Sequence, residues 1–560
     1  MHNAEIADIL SLQSKLMEIN GENSFRAKSY SIASFQVEKL TEPLAGMSLS
    51  QIIAQKGVGE SMGKKILEII QTGKLASLEK LIEEIPSGVI EMLRIKGLGP
   101  KKIHLIWKEM GIASIGELQY ACTENRLTNY KGFGKKTQDN VLSSINFLEN
   151  QKGWFLFAQA EPVAEETLQW LKKQFPLDQT AFTGAFAQHE IVVNVVELVT
   201  TVSHKQILEK ASPSWQLNVD VQPLDNRAFF KHESGLLIQI DTVLPNQFHY
   251  TVVRNSSSPE FIEASDLDTL EGLTLESEAA LFARLRLPPI PAYLRTDFNT
   301  LQEIREHGLN QVIQATDIKG IIHSHSTWSD GLNSIEEMAL QAIAEGYEYL
   351  VISDHSQSAA YANGLSPERI FEQHHEIDEL NARIKPFKVF KSIESDILGN
   401  GNLDYTDDIL ATFDLVIASV HSALTMSAEK ATQRILQAVS NKYVSILGHP
   451  TGRLLLSRNG YPLDYAAVID ACKKNHVAIE LNAHPRRLDV DYHHIPEIIS
   501  AGIPISINPD AHASEAYGHV YYGVLAAQKA MVMPGQNLSS FSLAEFENYL
   551  SATRKAKGLS

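Results

Sequence analysis

Seven short apolar runs between residues 318 and 512 each end on residues able to bind or orient a metal ion: IKGIIHSHS, YEYLVISDHS, FKVFKSIESD, FDLVIASVHS, VSILGHPTG, HVAIELNAHP and IPISINPDAH. Short β-rich stretches separated by helix-like segments predict a parallel α/β barrel, whose C-terminal strand ends form the functional face. Six of the ends supply His323, His325, His355, Glu394, His421, His449, Asp510 and His512, with Asp330 on the loop after the first run. Nine nitrogen and oxygen ligands on one face suffice for two or three divalent ions, and imidazole with carboxylate suits Zn, Mn or Fe. The remaining run, HVAIELNAHP, ends on Glu480 and Asn482, which are expected to orient ligands, as are Asp354 and His484. Only Cys122 and Cys472 are present, which excludes a thiolate site and a disulfide framework and fits a reducing cytoplasm.

A chain of 560 residues should hold several domains. No stretch has the length of an apolar membrane span, and the start, MHNAEIADILSLQSK, lacks the pattern of a secretory signal. The net charge of −18 argues against nucleic-acid binding by the whole surface, but it is unevenly spread. Residues 1–150 are near neutral, with 18 Lys and Arg against 17 Asp and Glu. An acidic remainder is what a carboxylate-rich metal site produces, while the front can grip phosphates with local basic loops.

The front contains an internal repeat, hydrophobic-Gly-x-Gly with lysines opening the next helix: KGVGESMGKKI (56–66), KGLGPKKI (96–103) and KGFGKKTQDNV (131–141). Gly-x-Gly lets a backbone turn tightly and present N–H groups at a helix N-terminus, a geometry that binds phosphate without reading base sequence. The expected DNA contacts are Gly57, Gly59, Lys64, Gly97, Gly99, Lys101, Lys102, Gly132, Gly134, Lys135 and Lys136. Before the repeat, two amphipathic helices flank a turn at Gly21-Glu22-Asn23. With GENSFRAKSY (21–30), this front resembles the bacterial family X DNA polymerases. The resemblance implies gapped, nicked or damaged DNA as partner, and the lack of a long apolar stretch implies no membrane. The resemblance also implies a lysine that forms a Schiff base with an abasic sugar, and Lys65 stands at the matching position.

By the same resemblance, residues 151–315 are a nucleotidyltransferase-like α+β palm with the thumb. A family X palm has a Gly-Ser turn, basic residues, an Asp-x-Asp and a third Asp, which hold two Mg²⁺ ions. The matching stretch is TGAFAQHEIVVNVVELVTT (183–201). Gly184 and Ala185 fall at the turn, Ala187 and Gln188 where arginines are expected, and Asn194-Val195-Val196 at the Asp-x-Asp. Asp241 matches the third carboxylate. Glu197, one residue further along, is expected to point to the opposite face. This palm is expected to be degenerate.

Residues 316–560 resemble the PHP (polymerase and histidinol phosphatase) domain, a distorted (β/α)7 barrel, through HSHSTWSDG, SDHS, IESDILGNGNLDY, ASVHS, LGHPTGR, ELNAHPRRLD and NPDAH. The resemblance implies three groupings: His323, His325, Glu394 and Asp510 around one ion; Glu394, His421 and His449 around a second; Asp330, His355 and His512 around a third. A metal-activated hydroxide would be the nucleophile, and Arg453, with Arg486 and Arg487 as lesser candidates, would bind a substrate phosphate. The domains are therefore expected at 1–150 (helix-hairpin-helix, comprising 8-kDa-like and fingers-like parts), 151–315 and 316–560. The expected activity is a metal-dependent phosphoesterase on DNA: 3′-5′ exonuclease, 3′-end processing or abasic-site cleavage in base-excision repair. The alternatives are a gap-filling polymerase, a histidinol-phosphatase-like small-molecule phosphatase, and a repair scaffold without activity.

Overall fold

A computed structural model describes residues 3–559, except residues 39, 41, 96, 150–152, 211, 213, 218–225 and 310. Lys96 of the second hairpin and the expected boundary at 150/151 lie outside the described residues. The chain forms two compact units, Met1–Phe147 and Leu148–Ser560.

The first unit is helical throughout its described residues. Helices Asn3–Asn20 and Ser24–Glu38 lie side by side around the turn at Gly21, where φ is +77°. Ser14 Oγ donates to Ala27 O at 2.8 Å and Ser34 Oγ to Ala7 O at 2.7 Å, so buried hydroxyls find carbonyl partners across the pair. The three hairpins share one backbone design. Gly57, Gly97 and Gly132 have φ of +80°, +93° and +99°, where a side chain would be strained. The second glycine of the first two, Gly59 and Gly99, is the N-cap of the helix that follows. In the third, Gly134 O accepts from Thr137 N at 2.8 Å as helix Lys135–Glu149 begins.

The second unit begins with a mixed sheet. Strands β1 (Phe155–Leu156) and β3 (Val192–Val193) pair antiparallel. Strands β2 (Thr180–Thr183), β4 (Val195–Thr200), β5 (Trp215–Leu217), β6 (Arg227–His232) and β7 (Leu237–Thr242) form a sheet of order β2-β4-β7-β6-β5. Only β4 and β7 run parallel in it. Val196, Leu198, Ile238 and Ile240 face one core shared with helix Phe157–Gln174. Helices from Phe248 to His307 gather around Phe261, Phe282, Leu294 and Leu301.

All seven apolar runs become parallel strands: β8 (Gly320–Ser324), β9 (Tyr349–Ile352), β10 (Lys388–Asp396), β11 (Leu415–Ser419), β12 (Val444–Leu447), β13 (Ala478–Asn482) and β14 (Ile505–Asn508). Each strand pairs with the one before it. β14 comes back to β8 through His325 N to Ala511 O at 2.8 Å and Ala511 N to His323 O at 3.2 Å. The barrel is thus nearly closed. Its strands are buried on both sides, which explains apolar runs without polar alternation. Outward residues meet the helices. Ile322, Tyr349, Val351, Phe390, Leu415, Ile417 and Ile446 fill the interior with Phe546 and Leu550 of helix Leu543–Ala556. The nine candidate ligands therefore lie at the C-terminal strand ends and on the loops that follow them. No described helix is long and apolar enough to cross a membrane.

Candidate metal centre

Glu394, on the last half of β10, sits at the middle of a ring of imidazoles. Its Oε1 lies 2.9 Å from His449 Nε2, 3.2 Å from His421 Nε2 and 3.3 Å from His323 Nε2. Its Oε2 lies 3.0 Å from His355 Nδ1 and 3.6 Å from His325 Nε2. Asp510 Oδ1 is 3.1 Å from His325 Nε2 and 3.6 Å from His323 Nε2. Asp330 Oδ1 is 3.3 Å from His512 Nε2 and 3.7 Å from His355 Nε2. All nine sequence-selected residues thus stand in one cluster, and every side chain in it is at least 94% buried.

Three overlapping sets bring ligand atoms within 4.8 Å of one another: His325, Asp330, His355 and His512; His323, His325 and Asp510; His355, Glu394 and His421. The grouping differs from the expected one in detail. His325 is shared between two sets, and His355 joins Glu394 and His421, while His449 reaches the centre through Glu394 alone. A cation fits this donor set. His323 Nε2, both nitrogens of His355 and Glu394 Oε2 are buried without a hydrogen-bond partner, a costly arrangement unless a positive charge receives their lone pairs.

Hydrogen bonds behind the ring fix its orientation. His323 Nδ1 donates to Glu480 Oε2 at 2.6 Å, and His421 Nδ1 to Asp396 Oδ1 at 2.5 Å, which turns each Nε2 inward. Glu480 also accepts from Asn482 Nδ2 at 3.0 Å and Asn508 Nδ2 at 2.7 Å, and Asn482 Nδ2 reaches Asp510 Oδ2 at 3.0 Å. Burial holds the imidazoles of His325, His355 and His449 below the ordinary value, so they are neutral lone-pair donors. Burial also opposes charge on His421, but Glu394 and Asp396 outweigh it and push the imidazole up to about 9. His323 and Asp510 have φ of +66° and +52°, left-handed backbone that β-strand ends rarely adopt.

Asp354 props the loop that carries Asp330. Its Oδ1 accepts from Ser326 N at 2.8 Å and Ser329 Oγ at 2.5 Å, and its Oδ2 from Ser326 Oγ at 2.7 Å and Gln373 Nε2 at 2.6 Å. His484 Nδ1 accepts from Arg486 N at 3.1 Å. Sequence reasoning missed Asp396, although its offset of two from Glu394 on an extended strand places both on one side.

Arg453 has partners other than a phosphate. It pairs with Asp491 and donates from Nε to Arg487 O at 2.9 Å and from Nη2 to Leu488 O. It therefore ties down the 487–491 loop. The Arg487 guanidinium approaches the cluster, with its Nε 3.7 Å from Asp510 Oδ2.

The palm strands present a second group of carboxylates, and here the expected register is corrected. Val196 is buried in the palm core, on the side opposite Asp241, and Asn194 lies outside β4. Glu197 pairs with Gln239 in the parallel ladder, so it shares a face with Asp241, contrary to expectation. Its carboxylate covers the turn: a Cβ on Gly184 would lie 1.6 Å from Glu197 Oε2. Burial holds the Glu197 carboxyl above its usual range, against the Ala185 N–H that donates to it. Asp241 is committed elsewhere. Arg227 Nε and Nη2 grip it at 2.5 and 2.8 Å. Gln239 Nε2 and Asn255 Nδ2 approach it at 3.4 Å.

In the first unit, Lys101, Lys135 and Lys136 are exposed. Lys64 is exposed and pairs with Glu60 at 2.7 Å, and Lys102 Nζ lies 5.6 Å over the Phe133 ring, linking the second hairpin to the third. Lys65 is half-buried, 5.1 Å over the Tyr30 ring.

A helix-hairpin-helix domain matches residues 1–75, a SAM-like helix-hairpin-helix tandem residues 89–146, and a PHP domain residues 322–484. The chain is 32% identical over 573 aligned residues to a Bacillus subtilis protein named DNA polymerase/3'-5' exonuclease PolX, covering 98% of this chain and 99% of that protein. A probable phosphatase of Acetivibrio thermocellus is 26% identical over 240 residues, covering 41% of this chain and 93% of its own length.

Proposed function

Because the chain belongs to the bacterial family X DNA polymerases with a C-terminal PHP domain, we propose that it is a DNA-processing metal-dependent phosphoesterase of the 3′-5′ exonuclease kind. The observation that carries this reading is the single buried cluster of nine donors around Glu394. Its domains are 1–150, 151–315 and 316–560. The relatives named phosphatases match only the length of a PHP domain, whereas the hairpins give this chain a surface for a DNA backbone.

His323, His325 and Asp510 with Glu394 would hold one ion; Glu394 and His421, with His449 and the nearby His355, a second; Asp330, His355 and His512, beside His325, a third. The donor chemistry suits Mn, Zn or Fe. When bound, such ions supply Lewis acidity to a phosphoester and acidify water. The chain's own part is positional. Glu480 and Asp396 hold the imidazoles of His323 and His421 in one tautomer, and Asp354 holds the loop of Asp330. A substrate phosphate would be bound by a guanidinium at this rim, with Arg487, close to Asp510, and Arg453, tied to the 487–491 loop, as the candidates. The buried ring keeps bulk water from competing for the donors.

The palm does not polymerise in this reading. Of the β4 positions on Asp241's side, Val195 and Val199 are apolar and only Glu197 is anionic. Asp241 is already neutralised by Arg227, so two divalent ions would lack ligands. Lys65, beside the first hairpin, is the group that would form a Schiff base with an abasic sugar, which borohydride trapping on abasic DNA would detect.

Metal analysis of the purified protein, with digestion of 3′- and 5′-labelled oligonucleotides in Mn²⁺, tests the reading. Release of 3′ label as mononucleotides is expected. Hydrolysis of histidinol phosphate with intact DNA would favour the small-molecule alternative. Replacing Lys101, Lys102, Lys135 and Lys136 with Ala should flatten the slope of log affinity against log salt by about 0.9 for every phosphate those lysines neutralise.

A further inference from the structure

The helix Val520–Lys529 has two committed faces. One is pressed against the barrel: Val520, Val524 and Ala527 pack in the apolar layer between its strands and the surrounding helices. At Gly523 a Cβ would stand 2.6 Å from Ala483 Cβ and 2.6 Å from Ile507 Cγ2, so the helix rests directly on the ends of β13 and β14. The other face is held by the palm. Leu525 belongs to the palm core with Phe157, Ala160 and Phe186. Tyr521 and Tyr522 donate to the two oxygens of Glu161 at 2.9 and 3.0 Å. Lys529, with a fully buried side chain, donates to Gln188 O at 2.8 Å and Glu190 Oε1 at 2.9 Å. Those two acceptors follow the turn where a polymerase would receive its nucleotide.

The chain enters this helix from the metal cluster. Asp510 and His512 precede it, joined only by the 3-10 turn Ser514–His519. The same loop is tied to that of Asp330: Leu332 N donates to His512 O at 2.8 Å and Ser514 N to Asn333 Oδ1 at 3.0 Å. The lead-in to the helix is thus linked by chain and by hydrogen bonds to the loops that carry Asp510, His512 and Asp330, three of the nine donors. Packed elements transmit shifts because they have few alternative arrangements.

We propose that the palm acts as a brace for the phosphoesterase site: by clamping helix Val520–Lys529 through Glu161, Glu190 and Leu525, it sets the positions of Asp510, His512 and Asp330. Lys529 and Glu161 are positioning residues in this sense and touch no substrate. The inference rests on the ligand assignment proposed above and assigns the palm a task that needs no polymerase chemistry.

The test compares Mn²⁺ affinity of the full-length protein, read from free Mn²⁺ by electron paramagnetic resonance, in Lys529→Met, Glu161→Ala, Glu161→Gln and Trp215→Leu. The first two should bind Mn²⁺ roughly threefold to thirtyfold more weakly, the range remote packing changes produce. Their turnover on a 3′-labelled oligonucleotide should recover at saturating Mn²⁺. Glu161→Gln keeps one acceptor and should lose less. Trp215→Leu perturbs the same palm core from its edge strand and should bind Mn²⁺ normally. If Lys529→Met does not fold, the half-buried Glu161 decides. Unchanged affinity in Glu161→Ala, or an equal loss in Trp215→Leu, overturns the brace. Failure of His325→Ala to weaken Mn²⁺ binding would instead strike the ligand assignment.

Discussion

Two strand-end sites in the second unit both contain carboxylates, and they differ in what faces those carboxylates. In the barrel, Glu394 meets five imidazoles, three of them held neutral by burial. In the palm, Asp241 meets the Arg227 guanidinium in a two-pronged grip. Three of the imidazoles around Glu394 are neutral lone-pair donors that can share a cation with it, whereas Asp241 already has a built-in cation in Arg227. Counting acids would rank the sites closer than they are; the charge of their neighbours separates them.

The largest effect that sharpens this contrast is expected from the barrel. His325→Ala and Asp510→Ala should each lower exonuclease turnover by more than about a hundredfold, beyond what loss of an outer partner causes, with the far-ultraviolet spectrum preserved. Full activity in both would erase the contrast. Chelation should abolish the activity and added Mn²⁺ or Zn²⁺ should restore it, measured on the same oligonucleotide.

Next in size, Asp396→Asn and Glu480→Gln remove the anions that orient His421 and His323. Metal affinity should fall by roughly 10- to 100-fold, measured by competition with a chelating dye. If both variants bind metal like the unaltered protein, the imidazoles need no orientation from behind.

A reversal of the palm's charge should have a smaller effect. In the His325→Ala background, Arg227→Gln with Val195→Asp leaves three acids on one palm face without their counter-ion. Weak Mn²⁺ binding should appear there, and Arg227→Gln alone should give less. Equal Mn²⁺ binding with Arg227 in place would show that the guanidinium does not exclude the cation.

The smallest signal is an expected absence. Primer extension on a gapped duplex should not exceed background in His325→Ala with Mg²⁺ or Mn²⁺ and all four nucleotides. Extension that Asp241→Ala removes would break the comparison, since the palm would then be a working polymerase.

The barrel strands and the donor residues were legible because each strand is buried on both sides and must end where polar ligands begin. Run length and run ending therefore carry the information locally. The hairpins were legible for a similar reason: Gly57, Gly97 and Gly132 need left-handed backbone that few other residues tolerate. Tertiary structure alone decided the rest. Whether Val196 or Glu197 shared a face with Asp241 depended on a one-residue register, which alternation along a short apolar strand does not specify. Arg227 comes from a strand whose sequence gives no sign of its partner. Arg453, beyond a strand end on the metal side, was expected to bind a phosphate, and the packing shows it donating to the 487–491 loop as well. The pairing of His421 with Asp396, and the two faces of helix Val520–Lys529, join segments far apart in the chain. Residue type and local period determine which groups are available; only the packing of distant segments determines which charges neutralise one another.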